Sequence, residues 1–224
     1  MVDNGPVHPQ DETLVIDRAV TERGEIVLRR RGDDFEIISN GVFLMDTRNG
    51  ESERLLVTAA LDACRSPDHV LIGGLGVGFS LAEAVRSASP KIITVVEIEP
   101  TVIAWHRDHL GAGGLADPRV RVVRADLMAH LADRPDEYDV ICLDVDNGPE
   151  WTVTDDNRAL YGDHGLSLLR SRLRPGGVLA VWSAAESAAF AARLVAAFGR
   201  VTTIRVPVPR GAPDVVWVAA LEVQ

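Results

Sequence analysis

Three glycines and one acidic residue are the part of this chain best suited to chemistry. An apolar run leads into Gly74, Gly76 and Gly78, and Glu97 ends the next apolar run after a helix-length gap. Glycines at such a turn let the backbone bend tightly and bring the N-terminus of a helix close to a ligand. A carboxylate at the end of the following strand can accept hydrogen bonds from both hydroxyls of a ribose. The pattern therefore predicts a nucleoside-binding site in an α/β domain.

Two known fingerprints compete for the glycine loop. A dinucleotide site uses G-x-G-x-x-G, but Phe79 stands where its third glycine is needed. The spacing G-x-G-x-G is satisfied by Gly74, Gly76 and Gly78, and it is typical of enzymes that use S-adenosylmethionine, in which the loop curls around an amino-acid tail. We therefore predict an adenosyl cofactor, and a nicotinamide-dependent oxidoreductase is the weaker alternative.

A second acidic residue, Asp126, supports the adenosyl interpretation. It follows the expected third strand, where enzymes of this kind place an acid against the adenine amino group. An Asp at that point is also a good N-cap for the next helix, and both roles are compatible. Ligands in such sheets bind beyond the carboxyl ends of the strands, so these groups should converge. Ile98 and Leu127, next to the two acids, complete the predicted cofactor-binding set.

Strands and helices alternate along most of the chain. Runs rich in Val and Ile separated by helical patterns predict a mostly parallel sheet covered on both faces. The last 25 residues contain two extended runs and no helix, which favours a closing antiparallel hairpin. The pattern predicts the class I S-adenosylmethionine methyltransferase fold, a Rossmann-like α/β fold with a seven-stranded sheet. Strands are expected near 69–73, 92–97, 119–124, 138–144 and 177–182, and helices near 78–88, 100–109, 126–133, 158–173 and 185–198.

The segment before this domain is different in character. Residues 14–46 read as four short strands, and Asn40-Gly41 supplies a turn between the last two. A helix is expected over 51–64 because apolar residues recur there at helical spacing. We predict a flexible tail over 1–13, an N-terminal β-hairpin appendage over 14–50 and a cofactor-binding domain over 51–224. An exposed edge strand in the appendage would offer a surface for a homodimer.

Composition excludes several classes of function. The formal net charge of −10 argues against a nucleic-acid-binding protein and suits a cationic partner. Cys64 and Cys142 lie in apolar contexts and are expected to be buried thiols. His106, His109 and His130 show no metal-ligand spacing, so no metal is predicted. Without an apolar span of membrane length or a signal-like start, we expect a cytoplasmic protein that does not enter membranes.

Beyond these local patterns, the chain resembles the bacterial spermidine synthase-like proteins. The resemblance extends over about residues 25–200 and is carried by GGLGVG, VVEIEP, DPRVRVVRAD, DEYDVICLDVDNGP and LRPGGVLAVWS. It implies that the loop at Gly74 holds the cofactor tail, Glu97 the ribose and Asp126 the adenine. It also implies that Asp144 lies at the reacting centre, in contact with the cofactor.

Three departures from that family's pattern concern the reacting groups. Asp144 matches the first acid of the family's D-S-S-D-P motif, but Asn147 replaces the second, and Asp146 is close enough in sequence to substitute. Gly76 stands where the family has an Asp that binds the ammonium of the transferred aminopropyl group. The upstream Tyr-His pair is also missing, since the chain reads GESERLL at 50–56. A cofactor that retains its carboxylate then fits better, because a helix N-terminus favours an anion.

The loop after the fourth strand supplies the candidates for acceptor binding. Asn147, Glu150 and Trp151 follow Asp144 directly, and Tyr161 opens the next helix. Each of them could instead have a structural role, as a turn, surface or packing residue. An acidic loop of this kind would suit a cationic small molecule such as an amine or a polyamine. Asp144 and Asp146 are the candidate catalytic groups, because an attacking amine must lose a proton.

Taken together, these patterns predict a group transferase that uses S-adenosylmethionine or its decarboxylated form. Methyl transfer to a small molecule is favoured over aminopropyl transfer to a polyamine because of Gly76. A non-catalytic protein that binds the adenosyl cofactor as a sensor or partner subunit is the alternative from another class. Transfer from a sulfonium needs no metal, since the sulfonium is already an activated leaving group.

Overall fold

The computed structural model describes residues 13–111, 114–133, 135–145, 147–150, 156–209 and 211–221. Within these ranges the chain forms two sheets and six α-helices. The strands are β1 (Thr13–Thr21), β2 (Gly24–Arg31), β3 (Asp34–Ser39), β4 (Val42–Asp46), β5 (His69–Gly73), β6 (Ile92–Glu97), β7 (Val120–Arg124), β8 (Tyr138–Leu143), β9 (Leu173–Ser183), β10 (Arg200–Val206) and β11 (Asp214–Ala220). The helices are α1 (Glu51–Ala63), α2 (Phe79–Arg86), α3 (Pro100–Trp105), α4 (Leu127–Asp133), α5 (Asp163–Ser171) and α6 (Ala188–Phe198).

The main sheet has seven strands in the order β10-β11-β9-β8-β5-β6-β7. Strands β5 to β9 pair in parallel, and β11 pairs antiparallel with both β9 and β10. This is the predicted α/β fold with its closing antiparallel hairpin, and the order places β11 inside the sheet rather than at its edge. The reversal of direction at β11 brings the first residue of that strand to the same edge as the last residues of the parallel strands.

Two apolar layers hold the helices against the main sheet. Alternate residues of β5 belong to opposite layers, since Val70 and Ile72 pack with one group of residues and Leu71 with the other. One layer contains the apolar faces of α1, α2 and α3, and the second contains those of α4, α5 and α6. A strand buried on both faces explains why the strand sequences are continuously apolar rather than alternating.

The N-terminal segment forms a four-stranded antiparallel sheet, β1-β2-β3-β4. Asn40 and Gly41 both have positive φ, at 49° and 79°, as a tight hairpin turn requires. Ile26, Leu28 and Ile37 are buried and join the apolar layer that also contains the helix α1. The four predicted strands and the Asn-Gly turn are therefore confirmed, and this sheet packs on the main domain through an apolar face.

Two predicted helices differ from the observed ones. The helix expected over 100–109 is α-helical only to Trp105 and continues as a π-helical turn over His106–Leu110. The helix expected over 158–173 is divided into a 3₁₀ turn, Asp156–Tyr161, and α5. Gly162 has extended backbone and accepts the first bond of α5 from Leu166 N. The helical spacing of apolar residues continues across this break, so the sequence pattern predicted one helix where the structure has two elements.

Several sequence expectations concern what the fold contains beyond its sheets. Cys64 and Cys142 are buried free thiols, as predicted. Among the helices described here, none is both long enough and apolar enough to cross a membrane. The predicted tail over 1–13 lies outside the described residues up to position 12, and Thr13 already belongs to β1. The division into an appendage and a cofactor-binding domain stays a prediction.

Candidate active site

The carboxyl ends of the parallel strands open into one cavity of about 1090 Å³. Along this edge the sheet order places the ends of β7, β6, β5, β8 and β9 in sequence, followed by the start of β11. The N-terminal sheet forms the opposite wall, with the hairpin between β1 and β2 and the strand β4. A cleft at this position is where ligands bind in open α/β sheets.

The glycine loop has the backbone conformation that the sequence pattern implies. Gly74, Gly76 and Gly78 have positive φ of 89°, 50° and 92°, a region that side chains disfavour. A Cβ at Gly74 would lie 2.1 Å from the carbonyl oxygen of Asp144, and one at Gly76 would lie 2.7 Å from Met45 Sδ. The loop therefore needs glycine for its conformation and for close packing, independently of any ligand.

A buried histidine contacts the backbone of the same loop. His106 Nε2 lies 2.9 Å from the carbonyl oxygen of Gly76, and the space beside Gly78 is filled by the same ring. Burial lowers the pKa of His106, and Nε2 carries a proton because a carbonyl oxygen can only accept. The sequence analysis missed this role because His106 lies 30 positions from Gly76, in the π-helical turn that follows α3.

Glu97 is held by the backbone of the two loops that surround it. Its Oε2 accepts from Leu75 N at 2.9 Å and its Oε1 from Glu99 N at 2.7 Å. The residue is 8% exposed and lines the cavity, and burial raises its pKa. Each carboxylate oxygen can accept a second hydrogen bond, so the group keeps capacity for a ribose hydroxyl. This geometry suits the predicted role without testing it.

The N-terminal sheet reaches the nucleoside side of the cavity through its first turn. Arg23 forms an ion pair with Glu99, and its Nη2 donates to the carbonyl oxygen of Ile98 at 3.1 Å. Thr21 Oγ1 donates to the same Glu99 carboxylate at 3.3 Å. Ile98 lines the cavity, as predicted for a cofactor-binding residue. Sequence reasoning did not find Arg23, which carries no motif.

Asp126 has the capping role that its sequence context allowed, and it also lines the cavity. Its Oδ1 accepts from Ala129 N at 2.8 Å, which caps the helix α4. Asp126 and Leu127 also line the cavity beyond β7, at the far end from β11. The structure thus brings Asp126, Glu97 and the glycine loop to one half of the cavity, and we call the half formed by the ends of β5, β6 and β7 the nucleoside half.

Asp144 lies at the middle of the cavity, directly after β8. Ser80 Oγ, from the start of α2, donates to Asp144 Oδ2 at 2.6 Å. Burial raises the pKa of Asp144 to about 6, and the Ser80 hydrogen bond opposes that rise. The carboxylate is therefore mostly ionised at neutral pH but close to its titration point. A group in this state can accept a proton or a hydrogen bond from a ligand.

Two further carboxylates, missed by the sequence analysis, lie beside Asp144. Glu53 comes from the first turn of α1 and Asp214 from the start of β11, and both line the cavity. Ser52 Oγ lies 2.9 Å from Glu53 Oε2 and 2.7 Å from Asp214 Oδ2, and Trp182 Nε1 donates to Ser52 Oγ at 2.9 Å. Burial and the charge of Asp144 raise the pKa of Glu53 to about 7.

The predicted acceptor residues do not all reach the cavity. Asn147 lines it, and its carbonyl oxygen accepts from Ala184 N at 3.1 Å. Glu150 instead accepts from Ser187 Oγ at the N-terminus of α6, where a negative charge is favourable. Tyr161 is buried, and its hydroxyl donates to the carbonyl oxygen of Val145 at 2.8 Å. Both residues lie outside the cavity lining in this structure, and their part in acceptor binding stays a prediction.

Two predicted site residues, Asp146 and Trp151, lie outside the described residues. The described part of the chain contains no group of three or more His, Cys, Asp or Glu that could hold a metal ion.

Glu53 could have been noticed in the sequence as part of an acidic first turn of a helix, but such a turn is explained equally well by its contribution to helix stability. Asp214 had no such signal, because its place beside Glu53 depends on where β11 enters the sheet.

The architecture is the class I methyltransferase-like fold, with a cavity at the carboxyl ends of the parallel strands. A spermidine synthase, solved in complex with the transition-state analogue AdoDATO, has a similar structure, with a TM-score of 0.80 and 18% identity over 94% of this chain and 75% of that one. Human methyltransferase-like protein 13, in complex with SAH, matches with a TM-score of 0.63 and 23% identity over 76% of this chain and 82% of that one. At these identities the likeness concerns the fold.

Sequence comparison defines the family. Residues 51–200 match the spermine/spermidine synthase domain, and the chain belongs to that family. Polyamine aminopropyltransferase 2 of Pseudomonas aeruginosa is 37% identical over 169 residues, which cover 69% of this chain and 46% of the relative. A polyamine aminopropyltransferase of Mycobacterium tuberculosis is 34% identical over 165 residues, covering 70% of this chain and 30% of the relative. The chain thus spans less than half the length of these curated relatives.

The family membership confirms the resemblance seen in the sequence. The two relatives are named as aminopropyltransferases, whereas the sequence analysis favoured methyl transfer. The preference for methyl transfer rested on Gly76, which removes a carboxylate from the glycine loop. The structure shows three carboxylates elsewhere in the same cavity, at Glu53, Asp144 and Asp214. Gly76 therefore removes one carboxylate from the glycine loop, while Glu53, Asp144 and Asp214 place carboxylates on other walls of the cavity.

Proposed function

We propose that this protein is an aminopropyltransferase that moves the aminopropyl group of decarboxylated S-adenosylmethionine to an amine acceptor. One observation carries the proposal: the nucleoside half of the cavity continues into a wall that contains Glu53, Asp144 and Asp214. No Lys, Arg or His within the described ranges forms an ion pair with any of these three carboxylates. Such a wall attracts ammonium groups.

The same wall disfavours a donor that keeps its carboxylate. The amino-acid tail of S-adenosylmethionine would bring a further negative charge into a cavity that already holds Glu53 and Asp144. Charges of like sign in a partly buried site repel strongly. Met45 Sδ also lies where a side chain at Gly76 would begin, so Met45 would have to move before a larger polar tail could occupy the position left by the family's aspartate. A decarboxylated donor, which ends in an ammonium, is the better fit.

The nucleoside half would hold the donor through groups that are already oriented. Glu97 would accept from the ribose hydroxyls, and Asp126 lies where the adenine amino group would be. The glycine loop would let the sulfonium end of the donor approach the backbone closely. Because Glu97 is fixed by two backbone amides, ligand binding would not have to order it. Positioning of the donor is then largely complete before the acceptor arrives.

Asp144 would act on the attacking amine. The amine nitrogen forms a bond to the aminopropyl carbon that is attached to the sulfonium sulfur. The bond between that carbon and the sulfur breaks, and its electron pair neutralises the sulfur. The products are methylthioadenosine and the lengthened amine, and one proton leaves the nitrogen. Asp144, with a pKa of about 6, can accept that proton, while Ser80 keeps its other oxygen in place. In-line positioning of the two substrates would supply the rest of the rate enhancement.

A product assay tests the proposal. The purified protein is incubated with decarboxylated S-adenosylmethionine and putrescine, and spermidine and methylthioadenosine are quantified by mass spectrometry. We expect both products in equal amounts. A parallel incubation with S-adenosylmethionine and the same amine should give no S-adenosylhomocysteine. Formation of S-adenosylhomocysteine would overturn the proposal in favour of methyl transfer, and ligand binding without any product would favour a sensor or partner subunit.

A further inference from the structure

Ser80 connects the glycine loop to the acid at the middle of the cavity. It is the second residue of α2, whose N-cap is Gly78, and its side chain is buried. Its Oγ lies 2.6 Å from Asp144 Oδ2 and 3.3 Å from the carbonyl oxygen of Glu53. A hydroxyl has one proton to donate, and a hydrogen bond to an ionised acceptor is the stronger one. The Ser80 proton therefore belongs to the bond with Asp144.

Ser80 reaches Asp144 from outside the cavity. Asp144 lines the cavity, whereas Ser80 does not. Oδ2 is held towards α2 by this bond, and among the described residues Oδ1 has no hydrogen-bond partner. Rotation of the carboxylate would break the bond to Ser80, and the loss of a hydrogen bond to a charged group is costly. Oδ1 is then the oxygen that Asp144 presents to a ligand.

The rest of the surroundings favours the protonated form of Asp144. The titratable side chains around it are Glu53 from α1, Asp214 from β11 and Cys142 from β8, and none of the three can carry positive charge. The strands β5 and β9, which pair with β8, end at this edge in uncharged residues. Burial therefore raises the pKa of Asp144 to about 6, and the hydrogen bond from Ser80 is the interaction that opposes the rise.

We propose that Ser80 is a positioning residue, which keeps Asp144 ionised and directs its Oδ1 to the attacking amine. The inference rests on the proposed function and names the residue that prepares its base. A hydroxyl donates a stronger hydrogen bond to a carboxylate than to the neutral acid, so the bond favours the form of Asp144 that can accept a proton. Because α2 begins at the glycine loop, one hydrogen bond also connects the donor site to the base.

The pH dependence of single-turnover transfer tests this role. Ser80→Ala removes the hydroxyl, which raises the pKa of Asp144 and lowers the fraction of ionised base in weakly acidic solution. At saturating donor we expect its rate to be about five- to tenfold below the wild type at pH 5.5, and less than about threefold below it at pH 8.5. The amine acceptor titrates identically in both proteins, so the ratio of their rates cancels its protonation. Ser80→Thr keeps the hydroxyl and should restore the wild-type pH profile.

Ser183→Ala is the matched control. Ser183 is a buried serine at the end of β9, but its hydroxyl donates to the carbonyl oxygen of Ala185 at 2.7 Å rather than to a carboxylate. A loss of rate caused by altered packing in this variant should therefore have the same size at both pH values. A loss in Ser80→Ala that is equal at pH 5.5 and pH 8.5 would overturn the proposal, and so would an unchanged rate.

A titration without catalysis separates this inference from the proposed function. The protein is labelled with aspartate that carries ¹³C at the carboxyl carbon, and the signal of Asp144 is assigned by its absence in Asp144→Asn. In Ser80→Ala the midpoint of this signal should lie at higher pH than in the wild type, whether or not transfer occurs. Equal midpoints, with the fold intact by circular dichroism, would overturn the role of Ser80. A shifted midpoint in a protein that forms no product would contradict only the proposed function.

Discussion

The two halves of the cavity are organised in different ways. In the nucleoside half, the polar groups come from one stretch of about 50 residues, and Glu97 is bonded to the backbone amides of Leu75 and Glu99. We call the part of the cavity lined by Glu53 and Asp214 the distal end. These two residues come from opposite ends of the chain and share one hydroxyl. In the first half, both oxygens of Glu97 have backbone partners without a ligand. The second lacks positive charge, so it is the part whose energetics a cationic acceptor would change most.

The largest expected effect on the rate of transfer comes from Asp144, which lies between the two halves of the cavity. Asp144→Asn keeps the shape of the side chain but removes its negative charge and its ability to accept a proton. We expect kcat for aminopropyl transfer to fall by about 10² to 10⁴, the usual contribution of a positioned base. The dissociation constant of methylthioadenosine should change less than about threefold. Single-turnover rates and calorimetry measure the two quantities separately.

A retained rate in Asp144→Asn would remove Asp144 from the chemistry. The matched control is Asp126→Asn, which changes a carboxylate at the far end of the same cavity. Its effect should appear in nucleoside affinity and leave the rate at saturating donor nearly unchanged. If both variants lose rate equally, the two halves do not have separate tasks.

Glu97→Gln tests whether the nucleoside half is organised before binding. An amide cannot accept at both of its terminal atoms, so either Leu75 N or Glu99 N loses its partner. A buried amide left without a partner costs about 1–3 kcal/mol in the free energy of unfolding. Methylthioadenosine affinity should also fall by about tenfold to a hundredfold. Urea unfolding and thermal shift with the nucleoside give both values, and unchanged affinity would contradict the ribose assignment.

The pH dependence of stability should reveal the uncompensated charge at the distal end. Burial raises the pKa of Glu53 from 4.5 to about 7, so the folded state holds a proton that the unfolded chain releases. The free energy of unfolding should therefore fall as pH rises from about 4.5 to 7 and level off above that range. Glu53→Gln should match the wild type near pH 4 and exceed it near pH 8 by on the order of 1 kcal/mol.

Putrescine should reduce this difference, since a bound ammonium stabilises the ionised Glu53. Melting temperatures across pH 4 to 8, with and without putrescine, provide the measurement. A wild type that becomes more stable as pH rises through 6, while Glu53→Gln does not, would contradict the assigned direction of the pKa change.

The smallest expected effect concerns the contact between the N-terminal sheet and the nucleoside half. Arg23→Ala removes the ion pair with Glu99 and the bond to the carbonyl oxygen of Ile98. We expect nucleoside affinity to fall only about twofold to fivefold, because Glu97 keeps its own backbone partners. Arg18→Ala, which breaks an exposed ion pair with Glu25, is the control and should cost less than about 0.5 kcal/mol in stability. If Arg23→Ala and Arg18→Ala change nucleoside affinity equally, Arg23 has no specific role at the nucleoside half.

Much of the nucleoside half could be predicted from the sequence because its signals are local. Glycine at 74, 76 and 78 indicates a backbone with positive φ, and the structure has it at all three positions. The apolar runs before Glu97 and Asp126 predict strands whose ends meet at one edge, and the cavity lies there. Spacing over fewer than 60 residues was enough for these predictions, since each depends on one strand, one turn and one helix.

The distal end could not be predicted in this way. The Ser52–Asp214 contact joins residues 162 positions apart, and it exists because β11 lies between β9 and β10. Hydrophobic periodicity determines whether a segment is a strand, but it does not encode the order of strands in a sheet. The contact between Met45 and Gly76 could not be predicted for the same reason, since the sequence of the glycine loop carries no information about Met45. Local patterns thus predicted the fold class and the residues that meet at the carboxyl edge of the sheet, while packing between distant segments brought Glu53 and Asp214 into the same cavity, because electrostatic energy depends on distance in space rather than along the chain.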